Sequence, residues 1–432
     1  MVFQLDSAFQ TTALRPDCGF DIDLAAAHIF YQIIKIIIGL TESNAASSLR
    51  KSCYTFDMII GIEASRANKA KKTGVEWYAW HVIQELKKLT KEDGNSWILY
   101  TNKILEGGLE VLPPNWFEVR AKWPLKYGWT QLRLSWELLR RKADVLYLPG
   151  STLPRYTPEH TVVTVHDVGF HHLPQLYKKR QVHIHEAAMN EIKNRVQRII
   201  TVSEYSKQQI SESYGIDPSR IRVTFNGVDH KLYRPLTDIA AIENTLRRYN
   251  LSKPFFITIG RLEAKKNILN LIRAFDSFKT QHGVGDPHKL VLVGAPGFGY
   301  EEIKRAIKSS KYQSDIFELG YVSELDLPAL LNAADALIHP SWYEGFGIPP
   351  LMAMACGCAV ISSNATSLPE VIGPDAGLYF KPGESEQLCA AMSRLVSESG
   401  LKEQLKSSGV TRAAKYTWEN TAKLTLPALL EW

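Results

Sequence analysis

Short apolar runs alternate with helical patterns from Met58 to the end of this chain, and that alternation restricts the fold more than any other feature. In the first half the runs are MIIGI (58–62), WILYT (97–101), DVLYL (144–148), TVVTV (161–165) and RIITV (198–202). In the second they are FFITI (255–259), KLVLV (289–293), IFEL (316–319), ALIH (336–339), AVIS (359–362) and GLYF (377–380). Their nearly unbroken β-branched and aromatic content suits strands covered on both faces. Between the first two runs, Val75, Tyr78, Val82, Ile83, Leu86 and Leu89 share one helical face. Ile268, Leu271, Ile272, Phe275 and Phe278 do the same after FFITI. Strands that alternate with helices predict an α/β fold with parallel, doubly wound sheets. A length of 432 residues exceeds one ordinary core, so two such domains are expected. An extension occupies 1–57, the first domain 58–230, a linker 231–253 and the second domain 254–410. The join is marked by Asn226-Gly227, Pro235 and a polar helix. Ligands of open parallel sheets bind at the carboxyl ends of the strands, and two sheets facing each other leave a cleft there.

Composition narrows the class. Hydrophobic residues make up 45% and charged residues 22%, as in a globular enzyme. The net charge of +6 accommodates acidic substrates or an anionic membrane surface and gives little support to nucleic acid as a partner. The five cysteines (Cys18, Cys53, Cys356, Cys358 and Cys389) are odd in number and form no C-x-x-C, so they read as thiols in a reducing compartment. The run Ala25 to Leu40 is interrupted by His28, Gln32 and Lys35 and is too short and too polar to span a bilayer cleanly. It reads either as an interfacial helix or as an extension upstream of the true start. Met58 opening the first strand favours the second. Asp21-Ile22-Asp23 is a short match to a metal-binding carboxylate pair of the kind that arises by chance.

The chemistry concentrates in PSWYEGFGIPPLMAMACG, residues 340–357. Glu344 is followed by Gly345, Phe346 and Gly347, and Pro349 and Pro350 open a helix that Gly357 ends. A carboxylate and bare backbone N–H groups thus reach a helix N-terminus, where an anion such as phosphate binds readily. Gly260-Arg261 closes a strand and Lys266 opens the next helix, giving a guanidinium fork and an ammonium suited to a diphosphate. Taken alone, such charges also fit a solvated loop. Gly74 follows the basic loop Arg66, Lys69, Lys71 and Lys72, where it is either a ligand-approach glycine or an ordinary helix start. The dinucleotide glycine fingerprint is absent, against a nicotinamide enzyme. His166-Asp167 ends a strand, either as a buried structural pair or, at the cleft, as hydrogen-bond partners of a bound polyol or proton acceptors. His171, His172, His183 and His185 lack an H-E-x-x-H pattern, so no metal is expected. From Trp116 to Lys142 aromatic and basic residues interleave, as in a half-buried helix with a basic outer side or a membrane-facing surface.

Several segments together resemble the retaining glycosyltransferases of family 4. They are TGVEWYAWHVIQEL, VTVHDVGFHHLP, RIITVSEYSKQQI, RVTFNGVD, GRLEAKKNILNLIRAF, LVLVG and SWYEGFGIPPLMAMACGCAVISSNATSLPEVIG. The resemblance runs from Met58 to the end. It implies a GT-B fold of two Rossmann-like domains, with a closing segment 411–432 whose KYTWENTAKLTLPALLEW (415–432) forms a last helix crossing back to the first domain. It further implies that Arg261 and Lys266 hold the donor's diphosphate, with Gly260 at the strand end and Gly74 opposite. Glu344 contacts the transferred sugar, and the amides of Gly345, Phe346 and Gly347 bind sugar and phosphate. His166 reaches the sugar ring, Asp167 orients it or the acceptor, and Glu370 lines the cleft. No cofactor or metal is implied. The donor is a nucleotide-diphosphate sugar, with GDP-mannose favoured and mannose or rhamnose transferred. The acceptor is a glycan or lipid-linked molecule of cell-surface polysaccharide synthesis, and the location is cytoplasmic with peripheral contact at the inner face of the membrane. One position departs from the pattern: Met352 stands where the family carries a second glutamate that grips the ribose diol. A thioether cannot accept two hydroxyl hydrogen bonds, which opens the alternative of a catalytically silent sugar-nucleotide-binding protein.

Overall fold

The computed structural model describes residues 58–432, apart from Lys126 and Val284. The run Ala25 to Leu40, the Asp21-Ile22-Asp23 match, Cys18 and Cys53 lie outside the described residues. Seven parallel strands form the first sheet: β1 (Ile59–Glu63), β2 (Ser96–Thr101), β3 (Trp116–Arg120), β4 (Val145–Leu148), β5 (His160–Thr164), β6 (Arg198–Thr201) and β7 (Ile221–Val223). Their spatial order is β3-β2-β1-β4-β5-β6-β7. Six parallel strands form the second: β8 (Phe255–Ile259), β9 (Lys289–Val293), β10 (Ile316–Gly320), β11 (Ala336–His339), β12 (Ala359–Ser363) and β13 (Leu378–Phe380), in the order β10-β9-β8-β11-β12-β13. Both orders reverse direction beside the first strand of the sheet, which creates the crevice where such folds bind ligands. The architecture is the two-lobed GT-B arrangement.

The elements form for the reasons legible in the pattern. All four residues of β4 and all four of β11 are buried, as strands covered by helices on both faces must be. Helix Gly74–Leu89 buries Tyr78, Val82, Ile83 and Leu86 against the first sheet, and its start is held by Glu76, whose carboxylate accepts from the Thr73 N–H at 3.0 Å. Helix Ile268–His282 buries Ile268, Leu271, Ile272, Phe275 and Phe278 against the second.

The segment from Trp116 to Lys142 differs from the helical expectation. Its first five residues are edge strand β3, with Trp116 and Val119 buried and Glu118 and Arg120 exposed. The Trp116 ring stacks on Trp97 of β2 with centroids 5.0 Å apart. A single turn of π-helix (Trp129–Leu134) and a short α-helix (Ser135–Arg140) follow. Trp129 turns inward, its Nε1–H donating to the Ala121 carbonyl at 2.8 Å. Among the described residues no helix is long and apolar enough to cross a membrane.

The last helix, Trp418–Leu430, returns to the first lobe. Its Trp418 ring lies 4.6 Å from His81 of helix Gly74–Leu89 and parallel to it, and Thr421 donates to the Phe225 carbonyl at 2.6 Å. Helix Leu401–Ala413, just before it, packs on helix Ile348–Ala355 of the second lobe. One continuous C-terminal stretch therefore ties the two lobes together.

Candidate active site

Glu344 sits in the loop after β11 with little of its side chain exposed, and every hydrogen bond to its carboxylate converges on one oxygen. His339 Nε2 lies 2.9 Å from Oε1, Ser341 donates to it at 2.6 Å, and the Lys266 ammonium pairs with the same atom. The other oxygen, Oε2, takes no hydrogen bond among the described residues. Burial opposes ionisation, but Lys266 and then His339 outweigh it and hold the Glu344 pKa well below the usual carboxylate range. The loop itself is fixed at both ends of the residue: the Glu344 N–H donates to Thr366 at 3.1 Å, and Ser367 donates to the Glu344 carbonyl at 2.9 Å. A buried charged acid, rigidly mounted with one oxygen free, results.

Lys266 ends a short 3-10 turn, Ala264–Lys266, after β8. Gly260, Arg261 and Lys266 line one recess with His339, Pro340 and Ser341. The Arg261 guanidinium is 60% exposed, reaching the Pro296 carbonyl at 3.4 Å rather than joining the Glu344 network. Lys265, which sequence reasoning passed over, faces the first lobe, with its Nζ 5.5 Å from the Tyr177 ring centroid. Burial disfavours its charge, yet Asp167 and Tyr177, followed by Glu344 and Glu263, raise its pKa above the ordinary lysine value. It therefore stays cationic.

Gly347 has φ of 105°, a left-handed conformation that glycine adopts without strain, and from it helix Ile348–Ala355 departs with prolines in its first turn. Gly74 comes from the first lobe to the same place: a Cβ on it would lie 3.9 Å from the Ile348 side chain. Gly345 meets the first lobe more closely. A Cβ there would fall 2.2 Å from the His166 carbonyl oxygen and 3.0 Å from Asp167 Cβ. The Gly345 carbonyl accepts from Ser203 at 2.7 Å and Ser206 at 3.2 Å, both at the start of helix Glu204–Tyr214.

His166 is half-buried, 4.7 Å from Tyr78 edge to face, with Nε2 3.4 Å from the Pro149 carbonyl. Burial lowers its pKa to about 4, so it is a neutral hydrogen-bonding group at physiological pH. Asp167 accepts from the Gly169 N–H at 2.9 Å. The structure thus brings His166, Asp167, Gly345, Lys265, Lys266 and Glu344 together between the lobes. Glu370 is placed differently from the others. Its two oxygens accept from the backbone N–H groups of Glu204 (2.8 Å) and Tyr205 (3.1 Å), capping a helix of the opposite lobe. Phe346 is buried and packs edge to face on Tyr416 at 5.6 Å, so only its backbone is available to a ligand. Met352 is 8% exposed and packs within the apolar core that also contains Tyr233, Phe346 and Leu351.

The downstream histidines make separate local contacts: His171 to Glu186 at 2.9 Å, His172 to Ser213 at 3.2 Å, and His185 against the Phe170 ring. Cys356, Cys358 and Cys389 are buried free thiols. His339, Ser341 and Ser203 were not singled out from the sequence. The signal for the first two was their position, one at the last residue of a strand and one just beyond it, immediately before the Glu344 loop.

Residues 73–232 match the family described as Glycosyltransferase Family 4, and residues 243–412 match Glycosyl transferases group 1. The O-antigen chain mannosyltransferase B of Escherichia coli is 31% identical over 68% of this chain and 76% of its own length. The serotype-specific mannosyltransferase WbdA of Escherichia coli is also 31% identical, over 62% of this chain but only 33% of its own length. Sucrose-phosphate synthase from Thermosynechococcus elongatus shares the fold at a TM-score of 0.68 and 18% identity, over 85% of this chain and 97% of that one. Anabaena HepE, solved with UDP and glucose, does so at 0.66 and 18% identity, over 87% of this chain and all of its own. The chain belongs to glycosyltransferase family 4 and is mannosyltransferase-like in sequence.

Proposed function

We propose that this glycosyltransferase moves a hexose, mannose in preference to rhamnose, from a nucleoside diphosphate sugar to a glycan or lipid-linked acceptor in cell-surface polysaccharide synthesis, with retention of configuration. GDP-mannose is the favoured donor. The observation that carries this reading is the buried, ionised Glu344, held through one oxygen by Lys266, His339 and Ser341 beside a recess that includes Arg261. The mannosyltransferase relatives support the sugar, and the O-antigen chain in the name of the first supports a polysaccharide acceptor. The second lobe would bind the donor and the first the acceptor. We place the reaction in the cytoplasm, at the inner face of the membrane.

In this mechanism the bond between the sugar's anomeric carbon and the diphosphate oxygen breaks. Negative charge grows on the diphosphate, and the sugar becomes oxocarbenium-like. Lys266, Arg261 and the amides from Gly345 to the helix start take up that negative charge, more strongly in the transition state than before it. The free oxygen of Glu344 faces the positive sugar, while Asp167 and the neutral His166 orient its hydroxyls from the other lobe. The acceptor hydroxyl bonds to the anomeric carbon, and its proton leaves on a diphosphate oxygen. Lys266 has three N–H donors, so it can keep Glu344 while binding phosphate. These cations supply the leaving-group stabilisation that a bound metal would otherwise provide.

The buried Met352 favours a second reading, a protein that binds sugar nucleotides without turning them over. A thermal-shift screen against GDP-, UDP-, ADP- and dTDP-sugars, followed by product analysis with the best binder, separates the two. The expected result is stabilisation by one nucleotide class, GDP foremost, and an α-linked product from an α-linked donor. Binding without transfer to any glycan acceptor would establish the silent reading, and inversion at the anomeric carbon would contradict retention.

A further inference from the structure

Beside the candidate active site lies a groove of about 430 Å3, lined by Lys178 of the first lobe and by residues 296–302 and Arg305 of the second. Its size is that of small-molecule sites. We infer that it binds a neutral saccharide unit of the acceptor. The inference rests on the transferase reading and adds to it a place for the second substrate.

The groove and the cation loop share a wall. The Gly297 N–H donates to the Leu262 carbonyl at 2.9 Å, and the Ala264 N–H donates to the Phe298 carbonyl at 2.8 Å. Arg261 reaches the Pro296 carbonyl at 3.4 Å. A Cβ on Gly297 would come within 2.6 Å of the Glu263 side chain, so the two loops are in close contact. On the opposite side, Lys178 follows Tyr177, whose ring Lys265 approaches. A ligand in the groove therefore lies one loop away from Lys266 and between the lobes.

The lining chemistry selects the ligand class. Lys178 and Arg305 are balanced by Glu301 and Glu302, so the groove has no net formal charge and neither an anion nor a cation is favoured. The side chains of Lys178, Glu301 and Glu302 make no hydrogen bond or ion pair among the described residues. Donors and acceptors of both kinds are thus free for vicinal hydroxyls. Phe298 is 37% exposed at this rim, an apolar face against which the C–H side of a pyranose ring packs. Free polar groups beside one aromatic plane suit a sugar better than an acyl chain, which would leave those charges unsatisfied.

The test uses the full chain with α-linked mannotriose as the probe, and Phe298→Ala and Lys178→Gln as variants. Saturation-transfer NMR and calorimetric titration should show mannotriose binding to the unaltered protein and at least tenfold weaker binding to each variant. GDP binding should be unchanged in both variants, because neither residue is assigned to the donor. No mannotriose binding to the unaltered protein, or equal affinity in the variants, would overturn the groove assignment. A variant that loses GDP affinity instead would also overturn it and give the groove to the donor. Failure of the transferase reading appears separately, as absence of transfer from any nucleotide sugar, and leaves the saccharide titration readable.

Discussion

Replacing Lys266 with alanine should lower sugar transfer by about 100-fold or more, in line with the loss of one preorganised donor to developing negative charge. The ammonium is mostly buried and already paired with Glu344, so its position costs nothing to arrange at the moment of reaction. Its removal acts twice. The diphosphate loses the one cation of the recess that is already buried in place, since Arg261 is 60% exposed and must swing from Pro296 to reach it. Glu344 also loses the interaction that most favours its ionisation, leaving only His339 and Ser341 on its bonded oxygen. The loss should appear mainly in kcat, because the charge matters most as the bond breaks. Circular dichroism should report an intact fold, while the melting temperature falls because the buried Glu344 carboxylate keeps only the hydrogen bonds of His339 and Ser341. Turnover within twofold of the unaltered enzyme would remove Lys266 from the mechanism.

Gly345→Ala is expected to have the second large effect, and for a steric reason. The added methyl would start 2.2 Å from the His166 carbonyl oxygen, a backbone atom that no rotamer change can move. Either the loop carrying Glu344 or the strand end carrying His166 and Asp167 must retreat. Overpacking of this kind costs about 1–3 kcal/mol. It also strains the two serine hydrogen bonds from Ser203 and Ser206 that hold the Gly345 carbonyl to the first lobe. Misplacement of a reacting group by about 1 Å can cost roughly 100-fold in rate, so transfer should fall by at least tenfold. Gly285→Ala is the control, because nothing lies within 4 Å of a Cβ there. Equal activity in the two variants would show that the lobes do not meet at Gly345 during turnover.

Much of this architecture is legible in the chain because parallel sheets bury their strands on both faces. Runs such as FFITI and KLVLV have no polar alternation to confuse them, and both coincide with β8 and β9 residue for residue. Edge strand β3 was obscured for the complementary reason. WFEVR buries Trp116 and Val119, three residues apart, and exposes Glu118 and Arg120, so it shows neither an unbroken apolar run nor a strict alternation, and its aromatic and basic residues merge with those of the next segment. Its parallel pairing with β2 and the stacking of Trp116 on Trp97 separate them, and both are tertiary contacts. β7 is three residues long and gave no periodic signal.

The candidate site was legible where one loop carries several functional groups, as from Glu344 to Gly347. It was obscure where two distant segments converge. His339 and Ser341 carry no motif of their own and acquire meaning only by pointing at Glu344. Glu370 follows a proline in a short helix, and nothing local shows that its carboxylate crosses to the amides of Glu204 and Tyr205. Met352 was readable as a departure. Its burial in the core shows why a carboxylate placed there would need a ligand or another partner to offset desolvation.

The most direct measurement is the crystal structure of this chain with a nucleoside diphosphate, GDP first, bound from solution. The terminal phosphate should lie within hydrogen-bond distance of Lys266 Nζ and of the amides leading into helix Ile348–Ala355, with the Arg261 guanidinium turned from Pro296 toward the diphosphate. A diphosphate bound away from this loop, or one that leaves Lys266 paired with Glu344 alone, would contradict the mechanism.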